Sequence, residues 1–234
     1  MAGTLTLTNI LTRVEDTLQD TANVRWSEAE LIRYVNDAQR EIVNLKPDAS
    51  ATHANVSLTT GTEQSLPSGG LRLINVVRNM SSTSSTASGK RSIRLVNVDI
   101  LNTHEPDWHD PSVTGTAAHG TEVKHFVFDE DDPKKYYVYP GVSGSAFVEI
   151  VYSKAPTDLS SGSDVIQVDD IYANAIVNYV LFRAYMKDAE YAGSLQRSGT
   201  HYQLFTASLG NSVSADDLVS PNTPSGVTLG GGPQ

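Results

Sequence analysis

Asp169-Asp-Ile-Tyr-Ala-Asn-Ala-Ile-Val-Asn-Tyr-Val-Leu-Phe-Arg-Ala-Tyr-Met-Lys-Asp-Ala-Glu-Tyr-Ala-Gly193 is a helix-forming run with more apolar and aromatic side chains than one face of a lone helix buries. Small alanines separate Ile171, Tyr172, Ile176, Tyr179, Val180, Phe182, Tyr185, Met186 and Tyr191, so close neighbours are expected on more than one side. Ile176, Tyr179, Phe182, Tyr185, Met186 and Tyr191 are therefore the candidates for sharing core and subunit contacts. An over-apolar helix in an acidic chain points to assembly.

Working outward, Asp169 or Asp170 is expected to cap this helix and Gly193 to end or bend it. Leu195, Tyr202, Leu204, Phe205 and Leu209 predict a further helix, weakened by Gly199. At the other end of the chain, Ile10, Leu11, Val14 and Leu18 recur at helical spacing. Ser27-Glu-Ala-Glu30 has the form of a capping box, and Leu31, Tyr34, Val35, Ala38, Ile42 and Leu45 follow as one stripe until Pro47. Trp26 is placed to staple onto Leu31 or to pack on the first helix.

Between these ends the period changes to two. Residues 55–60, 63–66, 71–79, 93–98, 123–128, 136–139 and 146–152 read as strands. The second and third from last form a hairpin across Asp129-Glu-Asp-Asp-Pro133. Asp99 is expected to cap a short helical turn at Ile100–Thr103. The fold class read from this order is α+β: a discontinuous helical bundle from both termini, an inserted antiparallel β domain of roughly six strands and a flexible C-terminal tail. The expected boundaries are 1–53 and 157–209 for the helical domain, 54–156 for the β domain and 210–234 for the tail. That tail, rich in Ser, Pro, Thr and Gly, is too polar to build a core of its own.

Composition removes several function classes. The 234 residues contain no cysteine, which excludes disulfides, thiolate nucleophiles and Cys-bound zinc. A net charge of -10 opposes broad nonspecific nucleic-acid binding, which needs cations to displace counterions. It suits a wall past which DNA slides without sticking. No apolar run reaches the roughly 18 residues of a membrane span, and no secretory signal is visible at the N-terminus.

Candidate chemistry is sparse. His104-Glu-Pro-Asp-Trp-His-Asp110 gathers imidazoles and carboxylates, but two His five apart in a proline-broken loop match no metal motif; the plainer reading is a polar loop pinned by Pro106, Pro111 and a buried Trp108. Asp129–Asp132 lacks the spacing of a calcium loop. The Gly-rich stretches at 68–70 and 230–232 lack a P-loop ending. His125 and His201 read as satisfied structural histidines. Lys90, Arg91 and Arg94, like Lys134 and Lys135, suit rim contacts. No cofactor, metal ligand or catalytic residue is predicted. A polysaccharide hydrolase using Glu105 with Asp107 or Asp110 as acid and base lacks an aromatic groove around those carboxylates. A glycan- or receptor-binding role for the Tyr-bearing β segment is a further alternative.

The order of features resembles the head-to-tail adaptors, also called connector or gatekeeper proteins, of tailed bacteriophages. The likeness is carried by Leu31-Ile-Arg-Tyr-Val-Asn-Asp-Ala-Gln-Arg-Glu-Ile42, Leu66-Pro-Ser-Gly-Gly-Leu-Arg-Leu-Ile-Asn-Val-Val77, Val96-Asn-Val-Asp-Ile-Leu-Asn102 and Pro106-Asp-Trp-His109. It continues through Phe128-Asp-Glu-Asp-Asp-Pro-Lys-Lys-Tyr-Tyr-Val-Tyr-Pro140, Asp169-Asp-Ile-Tyr-Ala173, Arg183-Ala-Tyr-Met-Lys-Asp-Ala-Glu-Tyr191 and His201-Tyr202. The resemblance implies a structural virion protein in the neck between capsid and tail, present in the host cytoplasm during assembly. It implies a ring of roughly twelve copies, with the portal protein and a tail nozzle or tube protein as partners and tail fibres as a further one. Double-stranded DNA would pass through without sequence-specific binding, and no membrane is involved. A tail terminator or nozzle protein is the alternative within the same class.

Overall fold

The structure is a computed structural model that describes residues 4–129, 131–188, 190–191 and 193–219. The chain is α+β, as the sequence predicts, with five helices and eight strands among the described residues. It divides into two compact units. One comprises Met1–Thr4, Gln39–Ser160 and Val165–Asp169; the other comprises Leu5–Ala38, Ser161–Asp164 and Asp170–Gln234. They are called the β unit and the helical unit below.

In the helical unit, α1 (Leu7–Leu18) starts with a capping box in which the Thr6 side chain accepts from Asn9 and the Asn9 side chain accepts from the Thr6 N–H. Leu7, Ile10, Leu11 and Val14 are its buried face. The chain then turns on Asp20, whose carboxylate accepts the N–H groups of Val24, Arg25 and Trp26. These donors, Trp26 foremost, hold the Asp20 carboxyl below its usual range.

Helix α2 (Glu28–Leu45) buries Leu31, Val35, Ala38 and Ile42 of the predicted stripe, whereas Tyr34 is half-buried and Leu45 exposed. Glu30 does not serve a capping box. One of its carboxylate oxygens accepts from the Lys187 ammonium at 2.7 Å and the other from the Tyr34 hydroxyl at 2.8 Å. Charge-assisted partners outcompete a turn back to Ser27.

The β unit begins with the end of α2 and a 3-10 turn, Pro47–Ser50. Its strands are β1 (Ala51–Ser57), β2 (Gly61–Ser65), β3 (Gly70–Met80), β4 (Gly89–Ser92), β5 (Arg94–Leu95), β6 (His125–Phe128), β7 (Lys135–Val142) and β8 (Phe147–Lys154). They make two four-stranded sheets, ordered β1-β8-β3-β4 and β2-β7-β6-β5. The predicted β6–β7 hairpin is present, pairing Phe126 with Val138 and Phe128 with Tyr136.

Two expectations change here. The strand predicted at 93–98 shrinks to β5, and β5 runs parallel to β6. The cause is a change of sheet: Ser92 still pairs with Arg78 of β3, and two residues later Arg94 pairs with His125 of β6. Leu58, Leu73, Val76, Ile93, Phe126, Tyr136, Val138, Val142, Val148 and Ile150 form the main core of the unit.

After β5 comes α3 (Val98–His104), capped by the Asn97 side chain and not by Asp99, because the Asn97 oxygen reaches the Asp99 N–H at 2.8 Å. Leu101, Trp108, Ala117, Val127 and Tyr139 form a second cluster.

The long helix of the opening stretch is shorter than its pattern. A 3-10 turn, Asp170–Tyr172, precedes α4 (Ala173–Lys187), whose N-cap position is held by Tyr172 with no side-chain capping bond, and not by Asp169 or Asp170. An Asp170 carboxylate oxygen accepts the Leu5 N–H instead, at 3.1 Å. Gly193, at a φ of 89°, makes the turn into α5 (Ser194–Val219). That helix continues past Gly210, where the sequence places the start of the tail; residues 220–234 of the tail lie outside the described residues.

Candidate assembly surface

The six candidate residues separate by burial. Ile176 is 0 % exposed, Tyr179 8 % and Tyr185 9 %, whereas Met186 is 53 % and Tyr191 62 % exposed. Phe182 is half-buried.

The buried set has identifiable neighbours in the helical unit. The Tyr179 ring meets Phe182 and Phe205 edge-on at 5.7 and 5.2 Å. Phe182 also lies 5.0 Å from Tyr202. Tyr185 stacks on His201 with ring planes 12° apart, and the Nδ1 of His201 bonds Asn178 at 2.9 Å. Burial pulls the His201 pKa down, which favours the neutral ring in this aromatic setting. Trp26 is fixed to the same helix: its indole N–H donates to the Ala184 carbonyl at 3.2 Å. Thus α1 and α5 account for much of the apolar surface of α4.

The remainder is open. Ile171, Met186, Tyr191, Leu195, Tyr202 and Leu204 are all more than a third exposed in the helical unit. These side chains are the apolar surface that the helical unit leaves for a partner to cover. Tyr191 is ordered on its inner side, where the Arg25 guanidinium lies 4.4 Å from the ring centroid. Arg25 is in turn paired with Asp188 at 2.7 Å. The sequence reading named Trp26 and Tyr191 but passed over Arg25 and Arg197. The only signal was the recurrence of Arg near Tyr and Trp in segments far apart in the chain.

The loop that offered chemistry is engaged otherwise. Trp108 is fully buried, and its indole N–H donates to the Asn102 side chain at 3.0 Å. The His109 ring lies 3.6 Å from the Trp108 ring, and its Nδ1 shares a 2.7 Å hydrogen bond with the Thr62 hydroxyl. Desolvation first, and then the nearby His119, lower the His109 pKa.

Glu105 accepts the Thr116 hydroxyl proton at 2.8 Å. The Asp110 carboxylate is held below its usual range by the backbone N–H and hydroxyl of Ser112. Glu105 and Asp110 are thus engaged within the loop, while Asp107 is exposed. No group of three or more His, Asp or Glu suited to a metal occurs among the described residues. The acidic turn is similarly self-satisfied, since Asp129 accepts the N–H groups of Asp131 and Asp132. His125 departs from expectation: its Nδ1 is buried without a hydrogen-bond partner.

Exposed apolar side chains on the helical unit, and loop residues such as Glu105 and His109 of the β unit engaged in hydrogen bonds of their own, suit an interaction protein. Residues 5–225 match the family model of the SU10 adaptor protein. The chain belongs to this family of phage head-to-tail adaptors. No curated protein matches it. Membership makes this chain a structural phage protein with a head-to-tail adaptor role. No helix among its described residues is long and apolar enough to cross a membrane.

Proposed function

We propose that this adaptor assembles as a closed ring of roughly twelve copies in the virion neck, joining the portal protein to the tail nozzle or tube and lining the passage for DNA. The supporting observation is the set of exposed apolar side chains of the helical unit, among them Ile171, Met186, Tyr191, Leu195, Tyr202 and Leu204. A ring needs one patch of each copy to meet a different patch of the next, and Met186, Tyr191 and Leu195, around the turn from α4 to α5, supply one such patch. Of the six sequence candidates, Met186 and Tyr191 carry the subunit contact, while Ile176, Tyr179 and Tyr185 carry the core; Phe182 belongs to both. The net charge of -10 favours passage of DNA over adhesion to it.

Mixing the purified chain with its portal and counting copies by native mass spectrometry tests the proposal. A discrete complex holding about a dozen adaptors per portal ring is expected. A chain that stays monomeric in the presence of portal overturns the reading.

A further inference from the structure

Beside Tyr191 the helical unit opens a cleft of about 440 Å³ whose walls include Arg25, Trp26, Tyr185, Tyr191, Ser194 and Arg197. This is the size range of a pocket that takes a small group or one large side chain. Its two guanidinium groups are both held against rings. Arg25 lies 5.2 Å from the Trp26 centroid and 4.4 Å from that of Tyr191, and Arg197 lies 5.8 Å from that of Tyr185. A guanidinium this close to a ring gains cation–π attraction and still has N–H donors to offer a further partner.

The two arginines differ in charge balance. Asp188 neutralises Arg25 at 2.7 Å, whereas Arg197 makes no ion pair among the described residues. The cleft thus carries one uncompensated positive charge, in a protein with 27 acidic and 17 basic residues.

We infer that the cleft is an anchor pocket for a carboxylate side chain presented by a neighbouring copy of this chain, which rests on the ring reading above. A single negative charge matches Arg197; a phosphate dianion beside Asp188 would be only half balanced. The fork of Arg197 can donate to both carboxylate oxygens at once, and Ser194 lines the same cleft. A second copy is the favoured source because carboxylates outnumber cations on this chain. A head-to-tail contact also sets a different patch of the next copy on each cleft. Arg, Tyr and Trp around one pocket are moreover the residue types that dominate protein interfaces.

The first test uses the free chain and does not require a ring. The NMR signal of the Arg197 Nε–Hε group is followed during titration with glutarate and, separately, with inorganic phosphate. A saturable shift with glutarate in the millimolar range, larger than with phosphate and absent in Arg197→Lys, is expected. No shift with either probe, or tighter binding of phosphate, overturns the carboxylate pocket.

The second test counts adaptors on the portal. Arg197→Glu is expected to reduce the assembled fraction at least tenfold, while Lys124→Glu, a reversal in the β unit, leaves it unchanged. Wild-type assembly by Arg197→Glu overturns the neighbouring copy as occupant. If the unaltered chain itself fails to assemble, the ring proposal falls, and the titration still decides the pocket.

Discussion

Ile176 and Met186 stand on one helix and should fail in opposite ways when altered. Ile176 is completely buried, so Ile176→Ala removes buried carbon atoms and leaves a cavity, at a cost of about 2–5 kcal/mol of folding free energy. Met186 is 53 % exposed, so Met186→Glu should change the stability of the free chain by no more than about 0.5 kcal/mol. In a ring contact the balance reverses. Covering the open half of Met186 is worth about 1 kcal/mol per contact. A glutamate in its place must shed water or take up a proton, adding about 3 kcal/mol. The sum, about 4 kcal/mol, weakens each contact on the order of a thousandfold. Urea denaturation reads the first effect, and native mass spectrometry of portal complexes reads the second. A Met186→Glu chain that mounts the portal in wild-type numbers would show that this end of α4 is not a subunit contact. A Met186→Glu chain as unstable as Ile176→Ala would refute the division of the helix into core and contact residues.

Three further outcomes are expected. Trp26→Phe removes the bond from the indole to the Ala184 carbonyl and leaves part of the buried indole's space unfilled, so urea midpoints should report a loss of about 1–3 kcal/mol. The Glu30 carboxyl is held below its usual value, chiefly by the Lys187 ammonium. Its contribution is therefore present above the unfolded carboxyl value of about 4.3 and disappears as pH falls through the lower folded value; with both groups partly solvated it amounts to under about 1 kcal/mol. Glu30→Gln should flatten that part of a stability-against-pH curve, and an unchanged slope would rule the pair out as its source. Gly141→Ala sets a Cβ 2.5 Å from the His119 ring, so the ring must move; thermal denaturation should show a loss of about 1–3 kcal/mol, and a wild-type midpoint would mean that His119 yields freely.

Much of the fold was legible because single elements carried strong periods. The stripe Leu31, Val35, Ala38, Ile42 is the buried face of α2, and the alternation in Phe126–Phe128 and Tyr136–Val138 is the hairpin. What the sequence hid depended on choices among partners. Glu30 has the right spacing for a capping box, yet an ammonium from a residue 157 positions away wins its oxygen. Asp170 looks like a helix cap and instead secures the Leu5 N–H. The parallel pairing of β5 follows from a strand leaving one sheet for another, which no local pattern encodes. Met186 and Tyr191 read as apolar residues like Ile176; only the positions of α1 and α5 decide which of them find a neighbour within the chain. Arg197 escaped notice because stacking on Tyr185 has no sequence spacing to betray it.

The discontinuity of the helical unit sets a timetable for synthesis. Leu7 and Thr8 at the start of α1 bond to the carbonyls of Asp164 and Gly162, and Trp26 waits for the carbonyl of Ala184. Roughly 120 residues separate the two parts of the unit, so a ribosome working at about 5–20 residues per second leaves the first part without its partner for about 6–24 s. Through that interval the apolar stripes of α1 and α2 are exposed on a nascent chain. The β unit, contiguous apart from short additions, has its strands complete as soon as Lys154 emerges. The order of birth thus makes the sheets the earlier body to close, and makes the helical unit, whose open surface is the proposed seat of assembly, the last to be finished.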